Sequence, residues 1–442
     1  MSHQTHASKN NPKEIVGWAM YDWANSAFSS TVVTTFLGPY LAALIAARPD
    51  GVITVLNKAI EPEAFFPFCV SVSVIMQIVL LPLLGSLADA TNLKKRLLLG
   101  FGYAGATATM LLFFVDGGRI LLGGVLFIIA NLCFGAAIVF YNAFLPDIAT
   151  PETQDSVSSR GFAFGYVGGG LVLGLNVVML QLIEDQGTAV RLALASAGVW
   201  WLVFTWLFPR RRLQQRRPTK IIPAGSNLFT LSLREFWETL KEMAGEHPHT
   251  LQYLVAYLIY NDGIQTVNTV AAIFAADELG MEPAELVGIV LMIQFVAALG
   301  AILFNRIAAR IGAKASVLIT LVGWSLLLIY AFTFLHRAEQ VWVWAFFEAL
   351  VLGSSQALSR SLFSKMVSPQ RESAYFSLYE ISERGTSWVG PLVFGLAAQQ
   401  TGSSRSALLP IITFFIVGFI ILALTNVRQG IADAGNEVPT LV

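Results

Sequence analysis

Five acidic side chains and one basic one stand inside long apolar runs of this 442-residue chain: Asp22, Asp262, Glu348, Glu380, Glu383 and Arg384. A charge at the centre of a bilayer costs about 2.5–3.5 kcal/mol on insertion scales, so each needs a use. Asp22, Asn25, Ser26 and Ser29 follow the 3–4 spacing of one helix face. Asn261, Gln265 and Asn268 share another face, with Asp262, Thr266 and Thr269 on the next. Acids accompanied by amides on two separate helices suit the lining of a polar cavity. The alternatives are pairing at a gate, or interhelical hydrogen bonds worth about 0.6 kcal/mol on average. Glu348, Ser355 and Ser359 form a further stripe at i, i+7 and i+11, with Gln356 and Arg360 beside it. A buried carboxyl can take up and release a proton, which makes Glu348, Asp22 and Asp262 the candidates for proton coupling. Glu380 and Arg384 are spaced i, i+4 and can pair directly. Arg384 can instead clamp a substrate carboxylate in bidentate fashion.

Other chemistry is not indicated. The five histidines do not cluster, no element carries metal-ligand spacing, and no convergent nucleophile and base appear. No glycine-rich loop ends in Lys-Ser/Thr, so ATP is not expected as the direct energy source. Cys69 and Cys133 lie in apolar runs and suggest buried thiols, not a disulfide framework. No cofactor is expected.

The elements that must position these residues follow from composition. Hydrophobic residues make up 55% of the chain and charged ones 13%, with 28 Lys+Arg against 28 Asp+Glu and a mean hydropathy of +0.64. A water-soluble surface needs about twice that charged fraction, and a nucleic-acid binder needs a basic excess. The solvent must be a bilayer. A spanning helix needs about 20 mostly apolar residues. Twelve runs meet this: 17–47, 65–87, 97–115, 120–143, 161–183, 190–208, 250–275, 286–308, 315–335, 340–363, 374–399 and 407–426. They are continuous, not alternating, so a β-barrel is excluded. The first run is too long for the apolar segment of a signal peptide, and no cleaved leader is expected.

Basic residues divide 21 to 6 between the two sides, with Arg384 inside a span; the richer side holds Lys94, Lys95, Arg96, Arg210, Arg211, Arg212 and, by this count, Arg360. That bias places both termini in the cytoplasm. The longest connection, 210–249, opens with a basic run, and Leu231–Met243 has helical apolar spacing suited to the membrane interface. It separates residues 1–209 from 250–442, six spans each.

The halves repeat. Gly85-Ser-Leu-Ala-Asp89 and a basic cluster follow span two, and Asn305-Arg-Ile-Ala-Ala309-Arg310 follows span eight; Pro151 and Pro369 punctuate equivalent loops. Duplicated halves usually enclose a site at their interface. Gly161, Gly165 and Gly169 on span five are spaced for close helix packing, and Gly390-Pro391 in span eleven offers a hinge. Trp18, Trp23 and Trp388 suit packing or anchoring better than binding, though Trp388 also falls among the cavity candidates.

The plan resembles the major facilitator superfamily. More narrowly, the chain is similar to the UMF1 family, bacterial relatives of the autophagy-related vacuolar amino-acid effluxers. The resemblance is carried by Gly17-Trp-Ala-Met-Tyr-Asp22-Trp-Ala-Asn25-Ser26, Phe140-Tyr-Asn-Ala-Phe-Leu-Pro146-Asp147, Ser158-Ser-Arg160-Gly161, Tyr260-Asn-Asp262-Gly-Ile-Gln265, Gln356-Ala-Leu-Ser-Arg360 and Leu378-Tyr-Glu380-Ile-Ser-Glu383-Arg384. It implies an all-α polytopic membrane protein of twelve helices in two pseudo-symmetric six-helix bundles. It also implies a secondary transporter working by alternating access, exporting amino acids or related small metabolites with proton coupling. The expected substrate-cavity residues are Asp22, Asn25, Asn261, Asp262, Gln265, Asn268, Gln356 and Trp388. The expected gate residues are Asp89, Arg160, Arg360, Glu380, Glu383 and Arg384. Members of the superfamily pair the loop Asp with an Arg on span four; none is present, leaving Arg160 as the nearest candidate for Asp89. A small-molecule substrate, a lipid bilayer, no nucleic acid and a monomeric state are the expected surroundings. A non-transporting receptor or lipid-handling protein on the same fold is the alternative.

Overall fold

The computed structural model describes residues 9–55, 57–91, 93–215, 228–369, 371–384 and 389–442. Among the described residues, ten helices are long and apolar enough to cross a membrane: α1 (Pro12–Ala46), α2 (Pro62–Ala90), α3 (Lys94–Phe114), α4 (Ile120–Ile148), α5 (Gln154–Leu182), α6 (Gln186–Arg212), α8 (Pro283–Ile311), α9 (Ala313–Thr333), α10 (Ala338–Lys365) and α12 (Ser406–Leu424). Between them, α7 (Pro248–Leu279) and α11 (two pieces, Glu372–Arg384 and Val389–Thr401) complete two sets of six. At 1.5 Å per residue a 29-residue helix such as α5 is about 44 Å long, more than the bilayer's hydrocarbon core. Large apolar side chains such as Ile75, Val79, Leu182, Leu326 and Leu424 lie exposed along these helices, as lipid-facing positions require.

Each set has its own core. One cluster of buried apolar residues draws on Trp201, Phe28, Phe127 and neighbours from α1–α6, and another on Trp324, Phe363, Phe415 and neighbours mostly from α7 onward, joined by Ala143 of α4 and Met243. Between them, α5 packs on α8 and α10, and α2 on α11. A two-stranded hairpin (β1 Ile53–Val55, β2 Lys58–Ile60) joins α1 to α2, with Ile53 opposite Ile60.

Asn10 and the C-terminal tail lie against the same loop. Asn10 N–H donates to Ile148 O at 2.7 Å, and Thr440 N–H to Glu152 at 3.1 Å. The C-terminal tail is also held by Asn436, which donates to the carbonyls of Lys365 and Val367 at 2.9 and 2.7 Å. The predicted interfacial helix is present as Leu228–Gly245, packed on α2 and tied to α11 through Arg371–Glu242 at 2.9 Å. Arg216, Arg217 and Lys220 lie outside the described residues.

Two local features were not expected. Residues Phe28–Phe36 of α1 follow π register, and Leu37 N–H donates to Val32 O. Hydropathy is blind to such a register shift. The structure also places Arg360 within α10, buried in the interface, and not with the loop charges of the termini side.

Candidate functional site

The glycine face of α5 sets the geometry. A Cβ on Gly161 would meet Trp18 and Tyr141 Oη at 2.7 Å and Arg360 Nη2 at 2.9 Å; one on Gly165 would meet Ser26 Oγ at 2.9 Å and the Asp22 Cβ at 3.3 Å. The small-residue spacing therefore does pack α1 tightly on α5, and that approach brings Asp22 to the boundary between the halves.

Arg360 reaches across that boundary from α10. Its Nε donates to Ser158 Oγ at 3.0 Å and its Nη2 to Ser158 O at 2.9 Å, both on α5. Its Nη1 donates to Asp22 Oδ2 at 3.3 Å and to Asn142 Oδ1 at 3.2 Å. Tyr141 Oη donates to the same Asp22 oxygen at 2.8 Å. Trp18 stacks on Tyr141 at 4.4 Å, and the guanidinium lies 4.9, 5.3 and 4.1 Å from the rings of Trp18, Tyr141 and Phe162. The Asp22 and Arg360 side chains retain 12% and 3% of their exposure. A buried pair of this kind is marginal as a source of stability, but losing one partner leaves an uncompensated charge.

Asn142 extends the network. Its Nδ2 donates to Glu380 at 2.7 Å, and Glu380 also accepts from Arg384 at 3.2 Å, the expected i, i+4 pair. Glu383 accepts from Tyr257 Oη at 3.3 Å, its backbone oxygen accepts from Asn261 at 3.3 Å, and Gln356 donates to Asn261 Oδ1 at 3.1 Å. Asp22 of α1, Asn142 of α4 and Ser158 of α5 thus meet Arg360 of α10 and Glu380 of α11, and a neighbouring set joins Tyr257 and Asn261 of α7 to Gln356 of α10 and Glu383 of α11.

Several sequence-derived candidates lie elsewhere. Asn25 and Asp262 are buried, and Asn25 Nδ2 and Asp262 Oδ1 have no partner among the described residues. Gln265 is half-buried and Asn268 exposed, so the amide face of α7 divides and only Asn261 joins these contacts. The α10 stripe divides too: Ser355 meets Trp324 at 3.5 Å and Ser359 meets Tyr260 at 2.7 Å, inside the second half, whereas Gln356 joins Asn261 and Arg360 faces the first half. Glu348, only 2% exposed, sits twelve residues before Arg360, roughly 18 Å along the axis, and its Oε2 has no partner among the described residues. Trp388 lies outside the described residues, as do 385–387; Gly390-Pro391 stands at the start of the second piece of α11.

The contacts at the termini end differ from those expected of a gate there. Asp89 does not pair with Arg160, which is exposed on α5. Asp89 accepts from the backbone N–H groups of Ser373 and Ala374 at 3.0 and 2.7 Å, where a carboxylate complements the start of α11. Gly85 permits this, since a Cβ there would run into Ser373 O. Ion pairs come from residues read as topology charges. Lys94 meets Asp147 at 3.2 Å and Glu372 at 3.4 Å, and Lys365 meets Asp155 at 2.7 Å, with Ser361 donating to Asp155 at 2.7 Å. Acidic residues facing basic span ends across two loops were the available signal.

A family model described as "Vacuole effluxer Atg22 like" matches residues 10–435. An uncharacterized MFS-type transporter, YxiO of Bacillus subtilis, is 30% identical over 98% of this chain and 99% of its own. Autophagy-related protein 22-1 of Aspergillus niger is 24% identical over 96% and 89%. Among solved structures, the transporter FucP in its outward conformation superposes with a TM-score of 0.68 at 12% identity, covering 94% of this chain and 98% of that one. The human organic anion transporter MFSD10 gives 0.64 at 13%, covering 93% and 100%. These structures establish the major facilitator fold.

Proposed function

We propose, for a chain that belongs to the Atg22-like family of vacuole effluxers and is a multi-pass membrane transporter, that it moves amino acids or related small metabolites by alternating access. Export across the cytoplasmic membrane by a proton-coupled monomer is the form we favour. The observation that carries this reading is the Asp22–Arg360 pair, a charge contact between two separately cored six-helix halves. Two halves that each keep a core can rock as rigid bodies, and a polar cluster between them is where a small polar solute finds partners. The effluxer description of the family model favours efflux, and the resemblance of the sequence motifs to amino-acid effluxers favours amino acids.

Ties at Asp155–Lys365, Lys94–Glu372, Asp89–Ser373 and Glu152–Thr440 join the halves at the end carrying both termini. Without Arg360 the basic bias is still 20 to 6, so we take that end as cytoplasmic and read the arrangement as shut toward the cytoplasm. Glu348 fits a proton site because it is buried away from the central ion pairs.

Uptake of a labelled amino-acid panel into membrane vesicles of both orientations, with and without a protonophore, tests the reading. Saturable, orientation-dependent flux above empty-vector vesicles supports it. Flux that keeps its full protonophore sensitivity in Glu348→Gln, Asp22→Asn and Asp262→Asn alike removes these acids from the coupling.

A further inference from the structure

The contact between Asp22 and Arg360 is single-pronged. Only Nη1 reaches the carboxylate, at 3.3 Å, and it is shared with Asn142 at 3.2 Å, while Nε and Nη2 are committed to Ser158. A guanidinium and a carboxylate in their best geometry make two parallel bonds of about 2.7–2.9 Å. Both groups are nonetheless held in place. Tyr141 fixes Asp22 through its hydroxyl, and Trp18, Tyr141 and Phe162 surround the guanidinium. The pair also joins α1 of one half to α10 of the other. Separating the halves at this level must break it, and breaking it in a buried interface strands two charges.

We propose that an α-amino-acid zwitterion inserts into the Asp22–Arg360 pair, its carboxylate on Arg360 and its ammonium on Asp22. This assignment rests on the transport reading above and names the binding mode within it. Insertion replaces one long monodentate contact with two ion pairs and leaves the net charge of the interface unchanged. A ligand with one charge cannot do this. A simple carboxylate sets itself against Asp22, and a simple amine against Arg360. Insertion also pushes the two charged groups apart, so occupancy itself loosens a tie between the halves. Asp22 retains more exposure than Arg360, so an arriving solute meets the carboxylate first and is recognised by its ammonium. The Glu380–Arg384 pair takes no part in the exchange, because both partners lie on one helix.

The test uses the full-length purified protein and matched ligand sets: L-alanine, propionate and ethylamine, then L-leucine, 4-methylvalerate and isoamylamine. Calorimetric titration and ligand-dependent thermal stabilisation are read for each. In at least one set the zwitterion is expected to half-saturate at a concentration at least about tenfold below either single-charge analogue. Asp22→Asn and Arg360→Gln are each expected to erase that preference. A carboxylate or amine matching its zwitterion in the wild-type protein, no response in either set, or a preference retained in full by Asp22→Asn overturns the proposal. The wild-type series decides even where a variant does not fold. Amino-acid flux that propionate inhibits as strongly as L-alanine sinks insertion and leaves the transport reading standing. A zwitterion preference that depends on Asp22, without flux in vesicles, sinks transport and leaves insertion standing.

Discussion

Arg360 shows how burial changes what a charge is worth. Its guanidinium holds three polar partners and three aromatic rings at 3% exposure, so the Arg360→Leu change leaves Asp22 buried beside a tyrosine hydroxyl alone. Losing one partner of a buried pair costs about 3–5 kcal/mol. Thermal unfolding in detergent is expected to show a large loss for Arg360→Leu, a comparable one for Asp22→Leu, and much less than their sum for the double variant. Strict additivity would show that the two charges do not act on each other. This residue also marks the limit of sequence reading. Asp22 and the Glu380–Arg384 pair were legible from their spacing within single helices. The Asp22–Arg360 contact spans 338 positions and carries no local signal, and a basic residue a turn and a half before a helix end reads as a loop charge. The pairings of Lys94 and Lys365 were hidden for the same reason, since counting charges per side does not reveal which loops face each other.

Among the elements, α5 is the one whose sequence most directly dictates its packing. Its glycines stand where side chains of α1, α4 and α10 need room. Gly161→Ala would press on Trp18, Tyr141 and Arg360 together, an overpacking cost of about 1–3 kcal/mol, and would displace the site's guanidinium. Gly174→Ala on the same helix meets only Leu291 at 3.7 Å, ordinary contact, and is expected to stay within about 0.5 kcal/mol of wild type. Equal effects of the two, read as melting shifts, would detach the glycine stripe from the site. The four-residue spacing made this face legible. The π segment of α1 was not, because its residues are as apolar and helical as their neighbours and only the hydrogen-bond register differs.

At the scale of the molecule, two cored halves are tied at one end by charges and helix starts. The twelve spans and the central connection were legible because the bilayer imposes length and hydropathy on each segment separately. The identity of the gate was not, because it depends on how the two bundles face each other. Asp155→Asn removes the partner of buried Lys365, so opening at the termini end is expected to become easier. Thiol labelling of a cysteine placed at Ser158, with Cys69 and Cys133 replaced, is expected to quicken severalfold from the termini side; an unchanged rate would mean that this tie does not hold the end shut.

Flux through the purified protein in proteoliposomes, wild type against Arg360→Gln with Gly174→Ala as the packing control, tests the central claim most directly. The account predicts saturable amino-acid movement in wild type and Gly174→Ala and a loss of at least about tenfold in Arg360→Gln. Undiminished flux in Arg360→Gln, or no amino-acid flux in the wild-type protein, would contradict it.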